Sequence, residues 1–450
     1  MNTRNGTNRR QYIIHKASVM KRILSALVSA ALAAGTTAAQ SPGNVSRPAQ
    51  SDSRIVEYDT YFTPQRLRVD FILAGNKDSQ QAYLADLRKE CAWAGSHKSL
   101  IDPFRYGEYM FEAWAGDRLV YSRGFSALFL EWRTTAQAEE VSKAFTQSVW
   151  MPFPKKPVRI VLSERVKATG EFRQMFSCTV DPHDPLIRQE ADSSIRAVPL
   201  LSSGRMEEKV DLLFVAEGYT AEQTDKFHAD CRRLMDSLFT MEPYRSRKDD
   251  FNISVLDVIS EESGTDVPNH GIWKNTAMGS HYFTFYIDRY LTLPDHTAIA
   301  DKVSGVPFDA LYIVVNDPGY GGGGIYNSYG MGTSDNPLAA KLFIHEFGHS
   351  FAGLGDEYSD DSVAYQQMYS LKTEPWEPNI TTLVDFGSKW KDMAESGEYG
   401  EEAGLVEGAG YMPKGIYRPR ADCRMRTNSS PDFCPVCRRA INRMIDYYCR

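Results

Sequence analysis

Pro337-Leu338-Ala339-Ala340-Lys341-Leu342-Phe343-Ile344 runs directly into His345-Glu346-Phe347-Gly348-His349, and the reading of that stretch decides the fold. The run looks helical. On a helix, residues four apart share a face, so the two imidazoles can grip one metal ion. Glu346 is one step round and can reach a water beside that ion. Two histidines and a glutamate in this H-E-x-x-H spacing are what metal-dependent peptide hydrolysis requires. Two histidines packing on an ordinary helix is the bland alternative, and the residues downstream argue against it.

Zinc peptidases of the metzincin type continue as H-E-x-x-H-x-x-G-x-x-H, the glycine turning the chain so that a third ligand swings back. Here Ser350-Phe351-Ala352-Gly353-Leu354-Gly355-Asp356-Glu357-Tyr358 follows. The glycine comes one residue late, at Gly353, and the usual third histidine is replaced by Gly355. A carboxylate is a good zinc ligand, so His345, His349 and Asp356 are the expected triad, with Glu357 as rival and a turn cap as the plain reading of Asp356. Further on, Ala421-Asp422-Cys423-Arg424-Met425-Arg426 is similar to a Met-turn, whose methionine floors the metal. Thr427 stands where some metzincins carry a tyrosine two residues after that methionine. Help for the oxyanion is then expected from Tyr358, Tyr417 or backbone N–H groups.

Upstream, the pattern changes halfway. Residues 66–73, 110–114, 119–121, 127–132, 158–162 and 172–180 are apolar or alternating runs of strand length, with Ala115-Gly116-Asp117 as a hairpin turn and a helix expected at 135–147. Residues 54–185 therefore read as a β-sandwich-like module. Asp181-Pro182-His183-Asp184-Pro185 is a breaker cluster. Beyond it, strands at 210–216, 251–258 and 310–315 alternate with helices: one opened by a capping box at Thr220-Ala221-Glu222-Gln223, others near 281–291 and 296–303. That alternation predicts a mostly parallel twisted sheet. The fold class is α+β: a β-sandwich-like amino-terminal domain, then a metzincin-like α/β zinc-peptidase domain over 195–450. Gly321-Gly322-Gly323-Gly324 lacks the G-K-[ST] of a phosphate loop and reads as a flexible loop beside the active site. A substrate strand is expected to pair with the sheet edge near 311–326, as in metzincins. All the chemistry-bearing residues fall in 195–450, so this half is expected to cleave short peptides alone, provided the interface between the domains buries little apolar surface.

The runs HEFGHSFAGLGDEY (345–358), NDPGYGGGGIYNSYG (316–330), VDLLFVAEGYT (210–220) and CRMRTNSSPDFCPVCRRAI (423–441) together resemble the bacterial immunoglobulin A metallopeptidase family. The resemblance covers roughly residues 195–450. It implies a secreted, metzincin-like zinc peptidase with a β-rich amino-terminal domain. The substrate in the family's label does not transfer with it.

Net charge is −7, with 42% hydrophobic and 12% aromatic residues. A substantial core is affordable, and the acidic balance argues against nucleic acid as a partner. Lys21-Arg22, an apolar run over 23–34 and the small residues Thr37-Ala38-Ala39 read as an export signal over 1–39, with Met20 an alternative start and 40–53 a polar linker. No later segment reads as a membrane span. Seven cysteines are present. Four of them, Cys423, Cys434, Cys437 and Cys449, crowd the tail. They suit either a structural Cys₄ metal site or a disulfide from Cys423 to Cys434 or Cys437, and the disulfide is favoured because only one C-x-x-C is present. The expectation is a secreted, periplasmic or cell-surface zinc endopeptidase. It would hold one catalytic Zn²⁺, use Glu346 as general base, and act on proteins or peptides, host glycoproteins among them. The competing class is a non-catalytic glycan- or protein-binding adhesin with a structural metal, against which the intact Glu346 speaks.

Overall fold

The computed structural model describes residues 56–190, 195–359 and 368–450. The predicted export signal and linker lie outside the described residues. Residues 55–450 form one compact unit.

The first half contains two four-stranded sheets. One orders Lys143–Pro154, Phe62–Gly75, Gln80–Ala92 and Arg188–Gln189. The other orders Arg118–Phe125, Tyr109–Ala115, Val158–Arg165 and Phe172–Val180. Along Phe62–Gly75 the side chains alternate, as the pleat requires. Leu67, Val69, Phe71 and Leu73 enter the core between the sheets, and Arg66, Arg68 and Asp70 point the other way yet are buried too. The hairpin at Gly116-Asp117 forms with Gly116 at φ 59°, a left-handed conformation that glycine adopts without a Cβ clash. Two expectations fail here. Residues 128–132 are a short helix rather than a strand, and only Gln137–Glu140 of the predicted 135–147 helix forms, Lys143–Pro154 being a strand. A six-residue apolar run cannot by itself distinguish a buried strand from a buried helical turn.

The second half is built on a six-stranded sheet in the order Gly322–Ile325, Tyr329–Thr333, Ala310–Val315, Val210–Glu217, Phe251–Leu256, Val198–Leu201. The four inner strands are parallel and the two edges antiparallel. Val210–Glu217 is buried along both faces, which is why its sequence is nearly continuous in apolar residues. The capping box at Thr220 and Gln223 forms and leads into the helix Thr224–Leu238. Of the helices expected near 281–303, only His296–Lys302 is α-helical; the earlier segment holds one 3₁₀ turn. The helix carrying the H-E-x-x-H motif spans Ala339–Ala352 and ends on Gly353 at φ 65°. Phe343, Phe347 and Phe351 bind it to the sheet and to the last helix, Pro435–Tyr448.

The two halves interlock through buried polar groups. Arg66 is hydrogen-bonded to Glu90 at 2.8 Å and donates to the carbonyls of Val303 (3.0 Å) and Val306 (3.1 Å). Arg68 bonds Asp70 and Asp301, each at 2.7 Å. Arg123 donates to Tyr448 Oη at 2.8 Å, with the rings of Tyr326, Tyr447 and Tyr448 around its guanidinium. None of the described helices is long and apolar enough to cross a membrane.

Candidate active site

The motif helix places His345 and His349 one turn apart, and Gly353 sends the chain back past them. Asp356 then returns its carboxylate: Oδ1 lies 3.2 Å from His345 Nε2 and 3.3 Å from His349 Nε2, and the two Nε2 atoms are 3.1 Å apart. Edges of about 3.3 Å are what nitrogen and oxygen ligands at ~2.0–2.1 Å make around a tetrahedral ion. The other ring nitrogens face main-chain carbonyls, His345 Nδ1 at 3.0 Å from Arg424 O and His349 Nδ1 at 2.5 Å from Leu354 O. A carbonyl only accepts, so each Nδ1 carries its proton, which leaves Nε2 of each ring as the atom that can offer a lone pair inward once it is unprotonated. Three lone-pair donors then converge on one point. Asp356 Oδ1 is buried with no hydrogen bond, while its Oδ2 accepts from Tyr411 Oη at 2.6 Å. The residues present therefore fit a divalent metal.

A proton competes for the same point. Burial by itself would depress His349, but Asp356 beside it outweighs that and lifts it to about 9; the same imidazoles hold Asp356 far below the usual carboxylate range despite its burial. Glu346 is buried, with an oxygen within 4.8 Å of a ring nitrogen of each histidine. Burial raises it above an ordinary carboxyl, against the opposing pull of His345 and His349.

The Gly321–Gly324 run is not a loose loop. Gly322–Ile325 is the edge strand of the sheet, pressed on the motif helix. A Cβ at Gly324 would meet Glu346 O at 2.4 Å and His349 Cβ at 2.8 Å, so glycine is required for this approach. Repeated glycine mimics a flexible linker in sequence, and only the neighbouring helix reveals its purpose. A cleft of about 470 Å³ runs along this edge past Glu346. Its far wall includes Ser126, Ala127, Leu130 and Glu131 of the first half. Glu131 accepts a short hydrogen bond from Tyr290, and Ser126 N donates to Tyr326 O at 2.9 Å.

Met425 is fully buried with its sulfur against Gly348, between the two histidines of the helix. Tyr358 lines the cleft beneath Arg289, whereas Tyr417 does not line it and pairs its backbone with Thr381. Glu357 points away from the histidines towards the tail cysteines. Tyr411 and Asn428, the latter donating to Tyr320 Oη at 2.8 Å, were not legible beforehand, since nothing in their local sequence marks them. No disulfide joins Cys423 to Cys434 or Cys437. All seven cysteines are free, the sulfurs of Cys423 and Cys437 are 3.8 Å apart against the ~2.0 Å of a disulfide, and Cys449 sits apart beside Asp250 O.

A helix with paired histidines, a carboxylate brought back by the following turn and an edge strand beside an open cleft define a peptidase, with a site compatible with a metal. The chain belongs to the IgA Peptidase M64 family, whose model matches residues 198–400 and 393–445. The family's N-terminal domain, Peptidase M64 N-terminus, matches residues 57–177. A comparison with curated proteins returned no match.

Proposed function

We propose that this peptidase is an exported zinc endopeptidase with His345, His349 and Asp356 as ligands and Glu346 as general base. The observation that carries this is the convergence of two imidazole Nε2 atoms and one buried carboxylate oxygen within 3.1–3.3 Å. When bound, zinc would supply Lewis acidity, making water a nucleophile near neutrality and polarising a carbonyl. The protein's own residues do the rest. An extended substrate aligns along Gly322–Ile325, the edge strand that lines the cleft, by main-chain hydrogen bonds. Glu346 takes the proton of the attacking water and passes it to the leaving amine. Tyr358, at the cleft wall, assists the developing oxyanion. Arg424 O and Leu354 O hold the two imidazoles in the tautomer that leaves Nε2 free. Met425 supports the helix from below as the floor of a Met-turn.

A chelator should abolish cleavage of a denatured protein by the purified chain, and zinc should restore it. Asp356→Ala should not be restored at the same zinc concentration, while its metal content falls. Because His349 is protonated below about 9 in the metal-free site, binding displaces a proton. Apparent zinc affinity should therefore weaken as pH falls below that value, by roughly tenfold per unit for the one proton. Full activity after chelation, or Asp356→Ala with unchanged metal content, would refute the assignment.

Export rests on Lys21-Arg22, the apolar run over 23–34 and the small residues before Gln40. Mass spectrometry of protein from the exported fraction should find a mature chain beginning near Gln40. A chain retaining Met1 or Met20 and confined to the cytoplasm contradicts it.

A further inference from the structure

Behind the active site lies a second convergence of ligand atoms. Glu357, Cys423, Cys434 and Cys437 are each fully buried, and one donor atom from each lies within 4.8 Å of all the others. They come from three separate segments: the turn after the motif helix, the Met425 loop and the start of the last helix.

The spacing decides between covalent and metal-bridged sulfur. Cys423 Sγ and Cys437 Sγ are 3.8 Å apart, and Glu357 Oε1 is 3.1 Å from Cys437 Sγ and 4.0 Å from Cys434 Sγ. A disulfide would need ~2.0 Å. Around a tetrahedral zinc with Zn–S of ~2.3 Å and Zn–O of ~2.0 Å, sulfur–sulfur edges are about 3.8 Å and sulfur–oxygen edges about 3.5 Å. The sulfur pair matches, and the two sulfur–oxygen distances bracket the second value.

The surroundings are those of a knuckle built for thiolates. Cys434 caps the helix Pro435–Tyr448, and its sulfur accepts from Cys437 N at 3.4 Å. Cys423 Sγ accepts from Cys434 N at 3.2 Å. Backbone N–H groups and a helix amino end both favour negative sulfur. Glu357 is held by Asn379, which donates to its Oε1 at 3.0 Å and also brackets Gly355 through both its N–H and C=O. Glu357 Oε2 is buried with no partner at all. A carboxyl group in such a place is neutralised by either a proton or a cation, and no lysine or arginine among the described residues is hydrogen-bonded to it.

We propose that Glu357, Cys423, Cys434 and Cys437 bind a structural zinc ion, distinct from the catalytic one. Glu357 supplies the fourth ligand that the sequence, with its single C-x-x-C, does not reveal, and Cys449 takes no part. The ion would tie Asp356, through its neighbour Glu357, to the loop whose Arg424 O orients His345 and whose Met425 underlies the helix. Glu357 N already donates to Met425 O at 2.9 Å, so the two loops meet here even without the ion.

Metal analysis of the full-length protein tests this independently of catalysis. The wild type, purified without chelator, should carry two zinc ions per chain, and His349→Ala should keep one. In His349→Ala the remaining ion should be released by a thiol-reactive mercurial. The same variant loaded with cobalt should show thiolate-to-cobalt charge transfer, a readout that does not depend on a cysteine variant folding. Cys437→Ser, if soluble, should lose one ion and melt at lower temperature. A non-reducing peptide map joining any two of the three cysteines overturns the proposal, as does His349→Ala protein free of metal. One thiolate-bound ion in wild type and His349→Ala alike would uphold it while refuting the catalytic assignment.

Discussion

Glu346→Gln should hydrolyse peptides at least about a hundredfold more slowly than the wild type, the lower range for losing a general acid–base group. Its melting temperature and metal content should stay unchanged. The amide matches the carboxylate in size, and the space is narrow: a Cβ at Gly322 would approach Glu346 Cγ to 3.1 Å, so a smaller or larger residue would disturb the strand–helix contact as well. Glutamine keeps that packing and cannot accept the water's proton. The geometry also separates base from ligands, since Asp356, not Glu346, closes the triangle with the two Nε2 atoms. Steady-state kinetics on a fluorogenic peptide, with metal content measured on the same samples, checks the prediction. Turnover near wild type in fully loaded Glu346→Gln would sink the mechanism.

A chain beginning at residue 195 should not accumulate as a soluble, cooperatively folded protein, although every proposed ligand and the proposed base remain in it. Hydrophobic clusters cross the division between the halves. Phe104 and Tyr106 pack on the core of the last helix, and Leu128 and Trp150 on the core of the sheet. The carbonyls of Val303 and Val306 would lose Arg66, Asp301 would lose Arg68, and the tyrosines at 326, 447 and 448 would lose the guanidinium they surround. Each such loss strips partners from buried groups, and together they exceed the few kcal/mol by which domains are commonly stable. The wall of the cleft at 126–131 would go with them. Expression of residues 195–450 followed by circular dichroism and thermal melting is the test. A soluble fragment with a sharp transition that still cleaves a short peptide would show that the two halves fold separately.

The chemistry of the motif helix was legible in sequence because it is local. Helical spacing alone puts His345 and His349 on one face, and Gly353 marks where the chain leaves it. The parallel sheet was legible for a similar reason: strands buried on both faces read as continuous apolar runs between helices. Asp356 against Glu357 stood one residue apart with the same chemistry, so no local pattern could choose between them. Only the turn after Gly353 aims the first at the histidines and the second at the cysteines. The glycine run looked like a flexible loop because what it accommodates, the backbone of a helix some 20 residues later, is nowhere near it in sequence. The tail cysteines suggested a disulfide because their fourth companion, Glu357, lies 66 residues upstream of Cys423. Sequence alone therefore determined which residue types are present and the family they belong to. Tertiary structure decided which of them share a point in space, because outside the one helix whose spacing fixes a face, separation along the chain does not say how many angstroms lie between two atoms.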